Sequence, residues 1–156
     1  MKVAVITANT EIYRGKAENT SGMVIGKMMQ AAGQEVVFVK ALPCDQEVLT
    51  AILEKMVEGH LADIILTTGG AGCAAGDCMP EATKAVITRE IPGIPEALRA
   101  HTMKVTKRAM LNRGVAGFRD DVLIVNLPGK ANAVKQCLEY ILPEVLHAAE
   151  IGCKTV

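Results

Sequence analysis

Between Ile64 and Thr83 the chain reads IILTTGGAGCAAGDCMPEAT. An apolar run stops at Thr67-Thr68, most of residues 69–78 are Gly or Ala, and Asp77, Pro80 and Glu81 follow. A buried strand that ends in a loop almost without side chains leaves backbone N–H groups open to a ligand. Pro80 suits the first position of a helix, whose free N–H groups and positive end attract anions. Asp77 is placed to hold a cation or to tune a reacting phosphate. The pattern is that of a site for a phosphate-rich ligand. The plainer reading is a tight connection between a strand and a helix.

Gly70-Ala71-Gly72-Cys73-Ala74-Ala75 also fits the G-x-G-x-x-A dinucleotide fingerprint. That motif belongs after a first strand and opens directly into a helix. Here it follows the third predicted strand and Pro80 delays the helix, so a dinucleotide fold is the poorer fit.

Elements must position this loop, and the chain supplies them in alternation. Lys2–Thr7 is a first strand, and Ala8–Thr20 is polar and reads as a loop. A helix from near Ser21 carries Met23, Ile25, Met28 and Met29 on one face, capped at Gly33. Glu35–Lys40 is a second strand. Asp45 is a good N-cap for a helix with Val48, Leu49, Ile52, Leu53, Met56 and Val57 in a buried stripe ending at Gly59. Asp63–Leu66 is the third strand. Helices follow over Pro80–Thr88 and Pro95–Met103, separated by the break at Pro92-Gly93. Gly114–Phe118 and Val122–Asn126 form a hairpin across Arg119-Asp120-Asp121. The last helix carries Val134, Cys137, Leu138, Ile141, Leu142, Val145 and Leu146, with Pro143 predicted to kink it.

Continuous apolar strands alternating with helices predict a three-layer α/β/α domain over residues 1–156. Its sheet is mostly parallel, with one antiparallel strand near the C-terminal part. Ligands on such sheets bind at the carboxyl ends of the strands. The segments Ala8–Gly22, Thr67–Pro80 and Asn126–Ala131 are therefore predicted to meet there.

Composition narrows the function further. With 17 basic and 17 acidic residues the net charge is zero, which argues against a broad basic face for nucleic acid. Two Tyr, two Phe and no Trp make a base-stacking platform improbable. No apolar run reaches the length of a membrane span, and MKVAVITANT reads as a first strand rather than a signal peptide. A cytoplasmic protein is the expectation. The five cysteines include no C-x-x-C pair and read as free thiols. The eight Met residues read as core filler.

TTGGAGCAAGDCMPEAT resembles the TTGGTG…RD-x-TPEAT signature of the MogA/MoaB family, which includes molybdopterin adenylyltransferases and the gephyrin G domain. Glu90-Ile91-Pro92-Gly93 with Glu96-Ala97-Leu98-Arg99, Ala109–Arg113 through Gly117, Asn126-Leu127-Pro128-Gly129, and Leu142-Pro143-Glu144 are similar to further family segments. The resemblance covers nearly the whole chain. It implies a homotrimer that binds molybdopterin, with other proteins of molybdenum cofactor synthesis as possible partners. It also implies transfer of AMP from Mg-ATP to the terminal phosphate of the pterin. By the same resemblance Thr68, Gly69, Gly70, Gly72, Ser21, Gly22, Glu81, Asn126, Pro128 and Gly129 bind the ligands. Asp77 is the catalytic acid and holds Mg2+, while Asp45 is a catalytic candidate only as a stand-in for the family acid that is Cys44 here.

The chain departs from the family pattern at polar positions. Ala71 replaces a Thr, Gly76 an Arg, Asn19 an Asp and Cys44 an acidic residue. Asn112 replaces a Ser, and Lys130-Ala131 stands where Ser or Gln and then Pro are usual. Losing one charge-assisted contact in a catalytic site costs on the order of 10²–10³ in rate. Asp45 is then the candidate replacement acid, and Lys130 or Lys16 the replacement cation.

Three functions compete at this stage. One is an adenylyltransferase with a rearranged site. Another is a non-catalytic molybdopterin-binding paralogue, a carrier or store. In the third, Cys44, Cys73 and Cys78 form a thiol or soft-metal site. Elsewhere, His60 and His101 are expected at exposed helix ends, and His147 on a surface or subunit contact. Arg113 either reaches a ligand phosphate or makes a structural salt bridge. Arg89-Glu90 and Arg119-Asp120-Asp121 are read as solvated turns or trimer contacts.

Overall fold

The computed structural model describes residues 1–154; the last two residues of the expected span lie outside the described residues. Strands β1 (Lys2–Ala8), β2 (Glu35–Leu42), β3 (Ile64–Thr68), β4 (Arg89–Glu90), β5 (Ala116–Arg119) and β6 (Val122–Leu127) form one sheet. Their order is β2-β1-β3-β6-β5-β4. The first four of that order run parallel, β5 runs antiparallel to β6, and β4 runs antiparallel to β5. The helices are α1 (Thr10–Tyr13), α2 (Thr20–Ala31), α3 (Gln46–Glu58), α4 (Met79–Val86), α5 (Gly93–Met103) and α6 (Ala131–Gly152), with a 3-10 helix at Lys107–Leu111.

The alternation of strand side chains sorts the core into two clusters. Val3, Val5, Ile64, Leu66, Leu123 and Val125 pack under Ile25 and Met29 of α2, Ile94 and Leu98 of α5, and the buried stripe of α6. Ala4, Ile6, Ile65 and Ile124 face the other way, onto Leu49, Leu53, Met56 and Val57 of α3 and Met79, Ala82 and Val86 of α4. Helices thus cover both faces of the central strands, which is why those strands are apolar without interruption. Each fully buried Leu or Ile contributes about 1.5–3 kcal/mol relative to leaving it in water.

Several local expectations change. Met23 and Val48 do not join the buried stripes; they are 52% and 40% exposed. The third strand runs two residues further than the apolar run, so Thr67 and Thr68 are buried strand residues. The Ala8–Thr20 segment contains the turn of helix α1, capped by Asn9, whose side chain accepts from Ile12 N at 3.0 Å. Arg89-Glu90 is a strand rather than a turn, paired with Phe118 and Gly117. The last helix is one element that runs through Pro143.

The register decides where the loops emerge. Ile6, Thr67 and Asn126 lie side by side, and Thr7, Thr68 and Leu127 form the next row. One residue further on, β3 and β6 have ended, at Gly69 and Pro128, and Ala8 is the last residue of β1, still paired with Leu42 of β2. The three predicted loops meet because three parallel strands end within one residue of a common row.

Candidate functional site

Gly69 and Gly70 begin the glycine loop with φ of +82° and +67°. A Cβ on Gly69 would lie 2.6 Å from the Ala8 carbonyl oxygen, so only glycine lets the loop press against the end of β1. A Cβ on Gly129 would lie 3.4 Å from Gly69 Cα, so the loop after β6 abuts the loop after β3. Thr68 ties the two together from beneath, donating its hydroxyl to the Pro128 carbonyl at 2.6 Å.

Arg113 holds the far side of the loop. Its Nε donates to Gly72 O at 2.6 Å, its second terminal nitrogen donates to Asp77 O at 3.0 Å, and its first donates to Glu81. The hydrogen bond from Arg113 holds the Glu81 carboxyl below its ordinary value. The same pair raises the guanidinium, already charged at any relevant pH. Arg113 is therefore a structural clamp. Asn126 does comparable work inside the sheet edge. Its buried amide accepts from Val115 N at 3.1 Å and donates to Thr67 and Thr83 hydroxyls, each at 2.9 Å.

Two cavities open around this frame. The larger, of about 560 Å³, is lined by Gly69–Cys73, Asp77, Asn112, Asn126, Pro128, Gly129 and Lys130. The rest of its lining is Pro95, Leu98, Arg99 and Thr102 of α5 together with Thr106, Arg108, Ala109 and Leu111 around the 3-10 helix, and it reaches Ala133 and Cys137 of α6. The smaller, of about 310 Å³, is lined by Thr7–Ile12, Ser21 and Cys44 with Gly69, Gly70, Gly76, Asp77 and Gly129. Gly69, Gly70, Asp77 and Gly129 line both. The cavities are neighbours across a wall of three glycines and one carboxylate.

Of the residues singled out by sequence, Gly69, Gly70, Gly72, Asp77, Ser21, Asn126, Pro128 and Gly129 line these cavities. Four do not. Thr68 is fully buried behind the loops. Gly22 sits inside the start of α2, where a Cβ would meet Asn19 and Thr7. Glu81 is engaged by Arg113. Asp45 is exposed and caps α3, accepting from Val48 N at 3.1 Å. Asn19 likewise lines neither cavity; its Oδ1 caps α2 through Gly22 N at 3.2 Å and accepts from the Thr7 hydroxyl at 2.8 Å. The amide at position 19 therefore serves a helix cap rather than the cavity. Nothing lies within 4 Å of a Cβ built on Gly76, so that position is open space beside Asp77.

Sequence reasoning missed Glu11 and the α5 wall. The residues of the first loop were in the predicted convergence, but a lone Glu in a polar stretch carries no signal. The wall from Pro95 to Leu111 comes from a segment separated in sequence from every glycine loop.

One oxygen of Asp77 accepts from Ala74 N at 3.0 Å, which orients the carboxylate. Its other oxygen has no protein donor among the described residues. Glu11 lines the same smaller cavity. Among the described residues no group of three or more His, Cys, Asp or Glu could hold a metal alone. One or two carboxylates suit a Mg2+ that takes its remaining ligands from phosphates and water.

The three-cysteine site is not assembled. Cys44 lines the smaller cavity and Cys73 the larger, where its thiol donates to Leu111 O at 3.3 Å. Burial, reinforced by Cys44 alongside, pushes the Cys78 thiol up to about 11, which disfavours the thiolate a soft metal needs. His101, expected on the surface, is half-buried and stacked on Tyr140 with ring centroids 4.0 Å apart. His60 and His147 are exposed, as expected.

Among the described residues, no helix is long and apolar enough to cross a membrane. A family model described as a probable molybdopterin binding domain matches residues 4–148. A molybdopterin adenylyltransferase of Helicobacter pylori is 32% identical over 151 residues, covering 96% of this chain and 86% of that protein. The molybdopterin biosynthesis enzyme MoaB of Thermus thermophilus superposes with a TM-score of 0.90 at 33% identity, covering 97% of this chain and 95% of that one. A tungsten cofactor synthesizing MoaB of Pyrococcus furiosus superposes at 0.85 and 33% identity, covering 98% and 97%.

Proposed function

The chain belongs to the family of probable molybdopterin-binding domains, and from that premise we propose that it is a molybdopterin adenylyltransferase acting in molybdenum cofactor synthesis. The observation that carries this reading is the shared wall. Two cavities that meet at Gly69, Gly70, Asp77 and Gly129 let two phosphate-bearing ligands approach each other across bare backbone. The reaction is a displacement at phosphorus. An oxygen of the pterin's terminal phosphate forms a bond to the α-phosphorus of ATP, the bond from that phosphorus to the bridging oxygen breaks, and pyrophosphate leaves with the electron pair.

Little covalent chemistry is asked of the protein, so its contribution is position and charge. The glycine N–H groups receive phosphate oxygens, and a cavity of about 560 Å³ is of the size that small-molecule ligands occupy. Asp77, oriented by Ala74 N, is the residue that would hold Mg2+, with Glu11 the second carboxylate lining the smaller cavity. Mg2+ when bound neutralises phosphate charge. Gly72, Ser21, Asn126 and Pro128 bound the ligands. Thr68, Gly22 and Glu81 act through the loops they hold rather than by contact, and Asp45 through the cap of α3.

Residues 1–156 act as one molybdopterin-binding domain. It assembles as a homotrimer, a reading supported by the exposed apolar side chains Val105, Met110 and Leu111 beside the larger cavity. Sedimentation of the purified protein tests the assembly. A cytoplasmic location and contact with other cofactor-synthesis proteins complete the reading.

A single-turnover assay with molybdopterin, ATP and Mg2+ tests the function. Pyrophosphate and adenylylated pterin in equal amounts support it. Tight pterin binding without either product replaces it with a carrier that has lost transfer.

A further inference from the structure

We infer that Lys130 is the cation that receives a ligand phosphate at the wall between the two cavities. The inference rests on the reading of the cavities as sites for phosphate-bearing ligands. The wall itself contributes no positive side chain, and its one charged residue, Asp77, is negative. Glu11 adds a second negative charge on the smaller side. Mg2+ at Asp77 would offset only part of the charge of a triphosphate and a terminal phosphate together, so a protein cation close by adds to their binding.

The candidates separate by what already holds them. Arg113 is spent on Gly72 O, Asp77 O and Glu81. Arg99 donates one nitrogen to both Asn112 O and Gly114 O, each at 3.2 Å. Lys16 lines neither cavity. Arg108 lines the larger cavity from the 3-10 helix, an element that contributes no residue to the shared wall. Lys130 follows Gly129 directly, so its stem starts at the shared wall. It lines the larger cavity and has no acidic partner among the described residues. A lysine suits this place because its ammonium is a compact charge on a flexible stem, able to follow a phosphate.

The test is equilibrium binding of molybdopterin under anaerobic conditions, of ATP, and of inorganic tripolyphosphate, each at low and high salt. The variants are Lys130→Ala, Lys130→Arg, Lys16→Ala and Lys130→Ala combined with Gly76→Arg. Loss of one charge-assisted contact weakens binding by about tenfold to a hundredfold. That loss is expected for Lys130→Ala, largest at low salt. Lys130→Arg should keep most of the affinity and Lys16→Ala all of it.

Position 76 borders the smaller cavity with open space around its Cβ. An arginine there should restore part of what Lys130→Ala loses, which a merely structural lysine would not permit. Loss confined to molybdopterin places Lys130 on the pterin phosphate, and loss confined to ATP places it on the triphosphate. Unchanged binding of all three ligands by Lys130→Ala overturns the inference, as does an equal loss in Lys130→Arg. If the wild type binds tripolyphosphate through Lys130 but not molybdopterin, the proposed function falls and the role of Lys130 stands.

Discussion

Arg113 donates its Nε–H to the carbonyl of Gly72 at 2.6 Å, from 41 positions away in sequence. The same guanidinium reaches the Asp77 carbonyl, and the Arg113 amide donates to Ala71 O at 2.8 Å. One residue therefore fixes both ends of the glycine loop. A lysine cannot reproduce this fork, because it offers a single point of charge. Arg113→Lys should leave the sheet intact and free the loop. Hydrogen exchange should quicken in peptides covering residues 69–78 and not in those covering β1 or β6. Protection that is unchanged in the loop would remove Arg113 from this role.

The partner of that clamp gives a pH dependence. The Glu81 carboxyl is held below its ordinary value of 4.5, chiefly by the hydrogen bond from Arg113. In that range the unfolded chain binds more protons than the folded one, so stability rises with pH. The contribution of Glu81 is complete above 4.5 and is lost as pH falls through the depressed value. Both side chains are more than a third exposed, so the effect is modest. Wild type should melt above Glu81→Gln at neutral pH, and the two curves should converge in acid. A gap that persists at low pH would mean the variant acts through packing.

Gly69 lines both cavities and presses against the end of β1. At φ +82° an L side chain is strained by about 1–2 kcal/mol, and a Cβ there would stand 2.6 Å from Ala8 O. The backbone must shift, and with it the wall shared by the cavities. Gly69→Ala should cost roughly 2 kcal/mol or more, a fall of about 4–8 °C in melting temperature. Ligand binding should fall further than stability alone explains. Gly76→Ala is the control, since its Cβ meets open space; it should melt like the wild type.

The layered sheet was legible because its cause is local. Runs such as Ile64–Leu66 and Val122–Val125 are apolar at every position, and only a doubly covered strand buries both faces. The glycine loop was legible for the same reason, since Gly69 and Gly70 mark positive φ without help from any distant residue. What stayed hidden depends on tertiary partners. Arg113 could be a ligand contact or a clamp until the carbonyls it reaches were placed. Asp45 carried the right chemistry for an acid, yet helix geometry uses its carboxylate as a cap. The two-residue strand Arg89–Glu90 is too short and too exposed to show any period, and exists because β5 offers it an edge.

Asp77 can be tested apart from the loop it stabilises. One carboxylate oxygen accepts from Ala74 N at 3.0 Å, and the residue lines both cavities. Asp77→Ala removes the charge and the loop bond together, so a lost activity would be ambiguous. Asp77→Asn keeps an oxygen for Ala74 N and removes only the charge. If Asp77 holds Mg2+ against the phosphates, this variant should fold with an unchanged melting temperature and lose about 10²–10³ in the rate of pyrophosphate release. Molybdopterin alone should still bind, because that step does not need the ion. The rate of the wild type should rise with Mg2+ concentration and that of Asp77→Asn should not. An Asp77→Asn rate equal to wild type would move the metal to Glu11, and Glu11→Gln would then carry the loss.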